Sequence, residues 1–249
     1  MRGSKKALIW RLAVVLPGLM AGCESDGGGK GTVSEKTGAT AGGDFEDTFP
    51  EKTNDWASIG SNDYFILQPG YQLVLEGVEK GKKHQITITV LNETKVLDGV
   101  ETRVVRETGT VNGKVKEDTR DYLAFSKKTH NVYYFGEEVN DYKHGKISGH
   151  GGSWLSGVNG ARYGLMMPGK PLLGYRHYQE VAPGVGMDRA EIVSLSEKTE
   201  TPAGKFEKCL KTEETSPIEQ GVKEYKLYAA GVGIVDDDGV KLVKYGYVK

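Results

Sequence analysis

The sequence predicts an all-β protein: a long antiparallel meander of about ten strands curled into a half or full barrel, with a two-layer β-sandwich as the alternative. Three observations predict it. Apolar and polar residues alternate with period two in several segments, as in His84-Gln85-Ile86-Thr87-Ile88-Thr89-Val90. Turn signals divide the body into pieces of strand length. The chain carries 35 glycines in 249 residues, about twice the usual frequency, which suits a turn-rich sheet protein.

The first 23 residues have a different design. A basic start (Arg2, Lys5, Lys6) leads into the apolar run from Ala7 to Leu19 and then into Met20-Ala21-Gly22-Cys23, the layout of a secretory signal. Small residues before the cysteine fit a peptidase cleft, and the thiol is a soft nucleophile able to accept a diacylglyceryl group. A transmembrane span is disfavoured, because Arg11 interrupts a run already shorter than the roughly 20 apolar residues that crossing needs. From Glu24 to Asp44 the chain is rich in Gly, Ser and Thr and poor in large apolar residues, the composition of a flexible tether. The expected organisation is therefore a signal peptide over 1–22, a lipidated Cys23 with its tether over 23–44, and a single β domain over 45–249.

Removing residues 1–22 takes away four basic residues, Arg2, Lys5, Lys6 and Arg11, and no acidic one, so a formal net charge of −1 becomes −5. A mildly acidic, mixed surface speaks against a nucleic-acid partner. Cys209 is the only other cysteine, so an acylated Cys23 leaves no intramolecular disulfide, and burial must hold the domain together.

Within the body, Ile86, Ile88 and Val90 share one face of a strand. Val100, Thr102 and Val104 share a face of the next, with Glu101 and Arg103 between them. Asn112-Gly113 then predicts a tight hairpin, because both central residues of a type I′ turn need positive φ. Further turns are expected at Asp98-Gly99, His144-Gly145, Pro168-Gly169, Pro183-Gly184 and Asp238-Gly239, the last a charged hairpin turn within Asp236-Asp237-Asp238-Gly239. A short helix is expected between Asp44 and Gly60 around Phe45, Phe49 and Trp56. The last quarter reads as consecutive hairpin-linked strands.

Two segments at the C-terminal end, Thr201-Pro-Ala-Gly-Lys-Phe-Glu-Lys-Cys-Leu-Lys211 and Tyr228-Ala-Ala-Gly-Val-Gly-Ile-Val235, resemble a pattern shared by uncharacterised bacterial lipoproteins, Thr-Pro-Ala-Gly-x-Phe…Cys-Leu-Lys…Tyr-Ala-x-Gly-Val-Gly. The Met20–Cys23 stretch resembles the bacterial lipobox, with Met20 where Leu is commonest. Tyr64-Phe65-Ile66-Leu67-Gln68-Pro69-Gly70 is similar to the same group's Tyr-Phe-Pro-Leu-x-Pro-Gly opening, departing at Ile66. The resemblance implies a periplasmic or surface β domain and carries no activity. Separately, Glu24 and not Asp follows Cys23, so no simple inner-membrane retention signal is evident and the outer membrane is favoured where there are two. The expected shape is similar to the half barrels of lipoprotein carriers, an analogy of fold alone.

Any chemistry is expected between Tyr142 and Arg189, where alternation breaks down and three of the five histidines, His144, His150 and His177, gather near Trp154, Tyr163, Tyr175 and Tyr178. His150, Trp154, Tyr163 and His177 are the candidate ligand-binding residues. The spacings match no standard metal motif. Met166 and Met167 are adjacent, so in a regular strand they point to opposite faces, and neither a metal nor another cofactor is expected. For a hydrolase, His150-Gly151-Gly152-Ser153 offers a histidine, a nucleophile and Gly-rich backbone, but position 155 is Leu where the nucleophile elbow needs Gly. Glu180, Asp188 and Glu191 are candidate paired carboxylates, their separation open. The favoured expectation is a non-enzymatic binding or envelope-assembly module whose concave face holds an apolar ligand, a lipid or a segment of an envelope protein. A cell-envelope hydrolase and a purely structural envelope protein are the alternatives.

Overall fold

At Asn112-Gly113 both turn residues have positive φ, 49° and 72°, and the same left-handed pair recurs at Lys80-Gly81, Asp98-Gly99, His144-Gly145 and Asp238-Gly239. These tight turns bring successive strands into antiparallel register and impose the twist that curls the sheet. The structure, a computed structural model, describes residues 44–248. The signal segment, Cys23 and all of the tether except Asp44 lie outside the described residues.

In chain order the strands are β1 (Trp56–Ala57), β2 (Gly60–Ser61), β3 (Ile66–Leu67), β4 (Tyr71–Glu79), β5 (Lys82–Leu97), β6 (Val100–Val111), β7 (Lys114–Ser126), β8 (Val132–Lys143) and β9 (Lys146–Gly149), then β10 (Trp154–Leu155), β11 (Arg162–Met167), β12 (Arg176–Tyr178), β13 (Glu180–Val181), β14 (Arg189–Thr201), β15 (Gly204–Ser216), β16 (Glu219–Ala229), β17 (Gly233–Asp237) and β18 (Val240–Tyr247). Thirteen of them follow one path, β12-β14-β15-β16-β17-β18-β4-β5-β6-β7-β8-β11-β13. The sheet is thus an antiparallel barrel, nearly closed, with a single seam. The predicted all-β meander is what forms, and the barrel is the form it takes. In place of the helix expected near Trp56 there is only a one-turn 3₁₀ segment, Thr53–Asp55.

The seam lies where the two ends of the path meet. One extended stretch, 176–181, serves both sides, because β12 pairs with β14 through His177↔Ala190 while β13 pairs with β11 through Tyr163↔Glu180. Between them Gln179 turns inward and is 3% exposed. Gly164 lets β11 approach this stretch, since a Cβ there would lie 2.3 Å from the Gln179 carbonyl oxygen and 2.8 Å from that of Tyr178.

A strap outside the barrel reinforces the junction. Glu46 bridges His177 in parallel, its N–H donating to the Arg176 carbonyl and its own carbonyl accepting from Tyr178 N–H. The chain then crosses to β7, where Trp56 pairs with Ser126. Under the strap lies an apolar cluster of Phe49, Val104, Tyr122, Tyr133, Phe135 and Leu165, with Trp56 and Tyr163 packed against it. The Val100/Thr102/Val104 face of β6 is therefore the outer face, and it is buried by the strap. The Glu51 carboxylate accepts from Tyr133, Ser126 and Thr129 hydroxyls at 2.7–2.9 Å. The larger core fills the barrel, with Leu73, Leu75, Ile86, Val90, Leu123, Leu210, Val235 and Leu242 pointing inward. Its cysteine, Cys209, is a buried free thiol.

Gly164→Ala tests the close approach at the seam. Because the obstacles are backbone oxygens, the substitution should cost about 1–3 kcal/mol or more in urea unfolding, whereas Gly81→Ala, with nothing within 4 Å, perturbs only its own turn. Equal costs at both positions would remove the packing role assigned to Gly164.

Candidate functional site

Strand register divides the barrel lumen into two halves. Toward the rim carrying the Asp98-Gly99 turn, Tyr71 pairs next to Val90, Val90 with Val105, and Arg103 with Leu123, and the inward side chains are largely apolar. Toward the opposite rim the same strands point Glu107, Thr119, Asp121 and Glu117 inward, and Lys226 sits between Thr212 and Asp237 on its two neighbours.

The apolar half is roofed. Residues 58–67 leave β1, form the β2–β3 hairpin and enter β4. The Asn62 side-chain carbonyl accepts from Tyr64 and Phe65 N–H, and its amide donates to the His130 carbonyl. Across the mouth Gly231 N–H donates to the Asp63 carbonyl at 2.7 Å. The hairpin thus reaches from the β7–β8 turn to the β16–β17 turn, with Gly60 packed on the Phe125 ring, where a Cβ would come within 2.2 Å. Arg103, 4% exposed, fastens its start by donating to Ser58, Leu91 and Glu93 carbonyls. The last two lie at the β5 bulge, between Val90 and Thr94.

Beneath this lid is a cavity of about 50 Å³ with Tyr64, Phe65, Ile66, Ile88, Val105 and Val232 among its walls and two carboxyls, Glu107 and Asp237, on its lining. Glu107 is 4% exposed, and its Oε1 has no hydrogen-bond partner among the described residues. A buried polar atom left unmatched is costly. Burial, and then the neighbouring Asp121, Glu117 and Asp237, hold the Glu107 carboxyl well above the usual carboxylate range.

The polar half is a connected network. Lys226 Nζ lies 2.6 Å from Glu214 Oε2, both groups almost fully shielded. Glu214 Oε1 also accepts from Gln179 Nε2 and Thr212 Oγ1, which links the network to the seam. Burial works against the Lys226 charge, yet Glu214 and Asp237 outweigh it and hold the ammonium well above its ordinary value. Burial pushes Asp121 up to about 7 even though the Tyr134 hydroxyl donates to it at 2.7 Å. It pushes Glu117 and Glu224 up to about 8, and Asp237 up to about 6.

The four candidates drawn from the sequence are not gathered in one place. Trp154 packs edge-on against Tyr134 and lines a second, more open cleft of about 330 Å³ beside Glu137, Val158 and Val185. Tyr163 is in the outer cluster, stacked on Phe135 and donating to the Phe49 carbonyl. His177 is in the seam, stacked on Tyr175, and burial pushes its imidazole down to about 3. His150 Nδ1 meets the Val139 carbonyl at 2.9 Å, while Ser153 Oγ accepts from Val139 N–H. Both side chains are thus committed to the backbone of one residue, and neither bonds the other among the described residues. Glu191 pairs with Arg176 at 2.8 Å, Glu180 stands on β13 opposite Tyr163 of β11, and the Asp188 carbonyl accepts from Gln179 and Glu180 N–H. Met166 and Met167 both enter the inner core, because a bulge between Leu165 and Met167 breaks the alternation that would have separated them. No group of three or more metal-ligating side chains forms among the described residues.

Of the two carboxyls that line the lid cavity, Glu107 carries no mark in the sequence and Asp237 reads there as part of a charged hairpin turn. Asp238-Gly239 is the expected turn, but Asp237 beside it points into the lumen. Alternation groups Val105 with Glu107 on one face, and only closure of the barrel makes that face interior.

No protein-family model matches the chain, and no curated protein matches it. A solved structure that it resembles, described as a "putative lipoprotein" from Parabacteroides distasonis ATCC 8503, is 13% identical, with the likeness covering 75% of this chain and 100% of that one at a TM-score of 0.37. A likeness at that level carries no argument about function.

Two predictions follow from the network's charge. A carboxyl raised in the folded state keeps its proton where the unfolded chain has lost it, so the folded state is penalised progressively as pH rises from about 4 to about 8. His177 acts in the opposite sense, but only below its ordinary value of 6.5. Thermal unfolding should therefore shift to lower temperature between pH 6.5 and pH 8, and a flat or rising profile would contradict the placement of these groups. Lys226→Met should cost about 3–5 kcal/mol at neutral pH by stranding Glu214, and adding Glu214→Gln should return part of it. Additive losses in that double-mutant cycle would deny the pairing.

Proposed function

We propose that this protein is a lipid-anchored extracytoplasmic binding module, held to a membrane through Cys23 and using its barrel lumen to hold a small apolar ligand beneath the lid. The anchor rests on Met20-Ala21-Gly22-Cys23 following a basic and then an apolar segment, and on the Gly/Ser/Thr-rich tether after it. The binding role rests on one observation above all: an apolar cavity closed by a dedicated hairpin and lined by a buried carboxyl with an unmatched oxygen. A barrel serving only as scaffold gains stability by filling its interior with hydrocarbon, so a costly carboxyl kept at a cavity wall favours a site. The hydrolase alternative gains no support from Ser153 and His150, each tied to Val139.

Cys23→Ala should release the protein from membranes into the carbonate-soluble fraction. Retention of the variant in the pellet would refute the anchor. For the binding role, native mass measurement of the protein before and after denaturation should reveal a co-purifying small molecule, and Ile88→Trp, which fills the cavity, should eliminate it while leaving the unfolding transition cooperative. A co-purifying mass that persists in Ile88→Trp would place the ligand outside the lid cavity.

A further inference from the structure

Resting on that reading of the cavity, we infer that its ligand is an aliphatic ammonium compound whose charged head is taken up by Glu107, with Asp237 beside it, and whose hydrocarbon part lies under Tyr64, Phe65 and Ile66. The walls are apolar apart from the two carboxyls and tyrosine hydroxyls, so orientation falls to Glu107 and Asp237. Their surroundings select the sign of the charge. Glu107 is faced by Asp121 and Glu117 from β7 and by Asp237 from β17, and the cation acting on it from across the lumen is Lys226. Lys226 is already paired with Glu214. An anionic head would oppose ionisation of these carboxyls further, and a neutral head would leave the Glu107 proton in place. An ammonium group can take the place of that proton and brings a donor to Glu107 Oε1, which has no partner among the described residues. Size limits the ligand too: a volume of about 50 Å³ accommodates a head group and a short chain, since a single water needs roughly 10–15 Å³ by a comparable measure.

Three probes of matched length, hexylamine, hexanol and hexanoate, separate the outcomes when titrated calorimetrically into the full chain produced without export, so that Cys23 stays a thiol. Hexylamine should bind about tenfold or more tightly than the other two. Binding replaces a proton on Glu107 by an ammonium group, so hexylamine affinity should rise from pH 6 to pH 8 while hexanol affinity stays level. Glu107→Gln, which preserves shape, should erase the preference, and Asp237→Asn should reduce it. Circular dichroism of both variants confirms that they are folded. Hexanol or hexanoate binding as tightly as hexylamine would overturn the ammonium inference and leave the apolar site standing. A preference that survives both substitutions would likewise overturn it. Failure of all three probes to bind would overturn the cavity reading itself.

Discussion

Closure of the sheet is the constraint on which the rest of this molecule depends. An open thirteen-strand meander would expose two unpaired edges and an apolar concave face, an arrangement that invites edge-to-edge association. The chain closes it with one extended stretch, 176–181, whose first half pairs with β14 and second half with β11. Neither pairing is long, so backbone bonds alone are a weak clasp. The strap supplies the remainder by joining β12 to β7 over a sealed aromatic layer. Phe45, at the start of the strap, lies under the guanidinium groups of Arg189 and Arg176 at 4.3 and 5.6 Å, which adds a cation–π contact on the β14 side of the seam.

Once the barrel is closed, its interior polarity becomes a question of energy. Carboxyl groups in a shielded lumen lose hydration, and the molecule offsets the loss unevenly. Around Lys226 and Glu214 the offset is nearly complete, with an ion pair, the Gln179 amide and the Thr212 hydroxyl converging on one carboxylate. At Asp121 it is partial, a single phenol donor on one oxygen. At Glu107 it is least complete. This gradient runs from the seam toward the lid cavity, so the least satisfied carboxyl borders the space where a ligand could satisfy it.

The fold class was legible because alternation and Asn-Gly or Asp-Gly turns are local signals that tertiary structure did not override. Ile86, Ile88 and Val90 face the core as alternation requires, and four of the five left-handed turn pairs fall where Gly follows Asn, Asp or His, Lys80-Gly81 being the one without that signal. Which face of a strand is inside was not legible for β6. Val100, Thr102 and Val104 look like the core face, yet they lie outside beneath the strap, and Val105 and Glu107 face the lumen. Both faces of β6 are buried, and period two cannot choose between two buried faces. The lid cavity was not legible for the same reason. His150, Trp154, Tyr163 and His177 drew notice as rare residue types in an irregular stretch, and that stretch is irregular because it builds the seam and its flanking loops. Charged residues in regular strands read as solvated, and only closure places Glu107, Asp121 and Asp237 indoors.

Strap and lid are consecutive parts of one segment, and this shapes what the lid can do. Its start is fixed where β1 pairs with β7 and Arg103 holds Ser58, and its end is fixed where Leu67, fully buried, leads into β4. Opening must therefore be a motion of the intervening hairpin with both ends held, in the manner of a loop and not of a hinged domain. The contacts such a motion would break are the Asn62 amide on the His130 carbonyl, Asp63 on Gly231, the packing of Gly60 on Phe125, and the packing of Tyr64, Phe65 and Ile66 on the inner core. The Asn62 turn bonds to Tyr64 and Phe65 lie within the hairpin and travel with it. If the lumen holds a ligand as proposed, a hairpin with two hydrogen bonds to the rim would admit it while the seam stays shut, so closing the barrel and opening its mouth would fall to different bonds along the same stretch of chain.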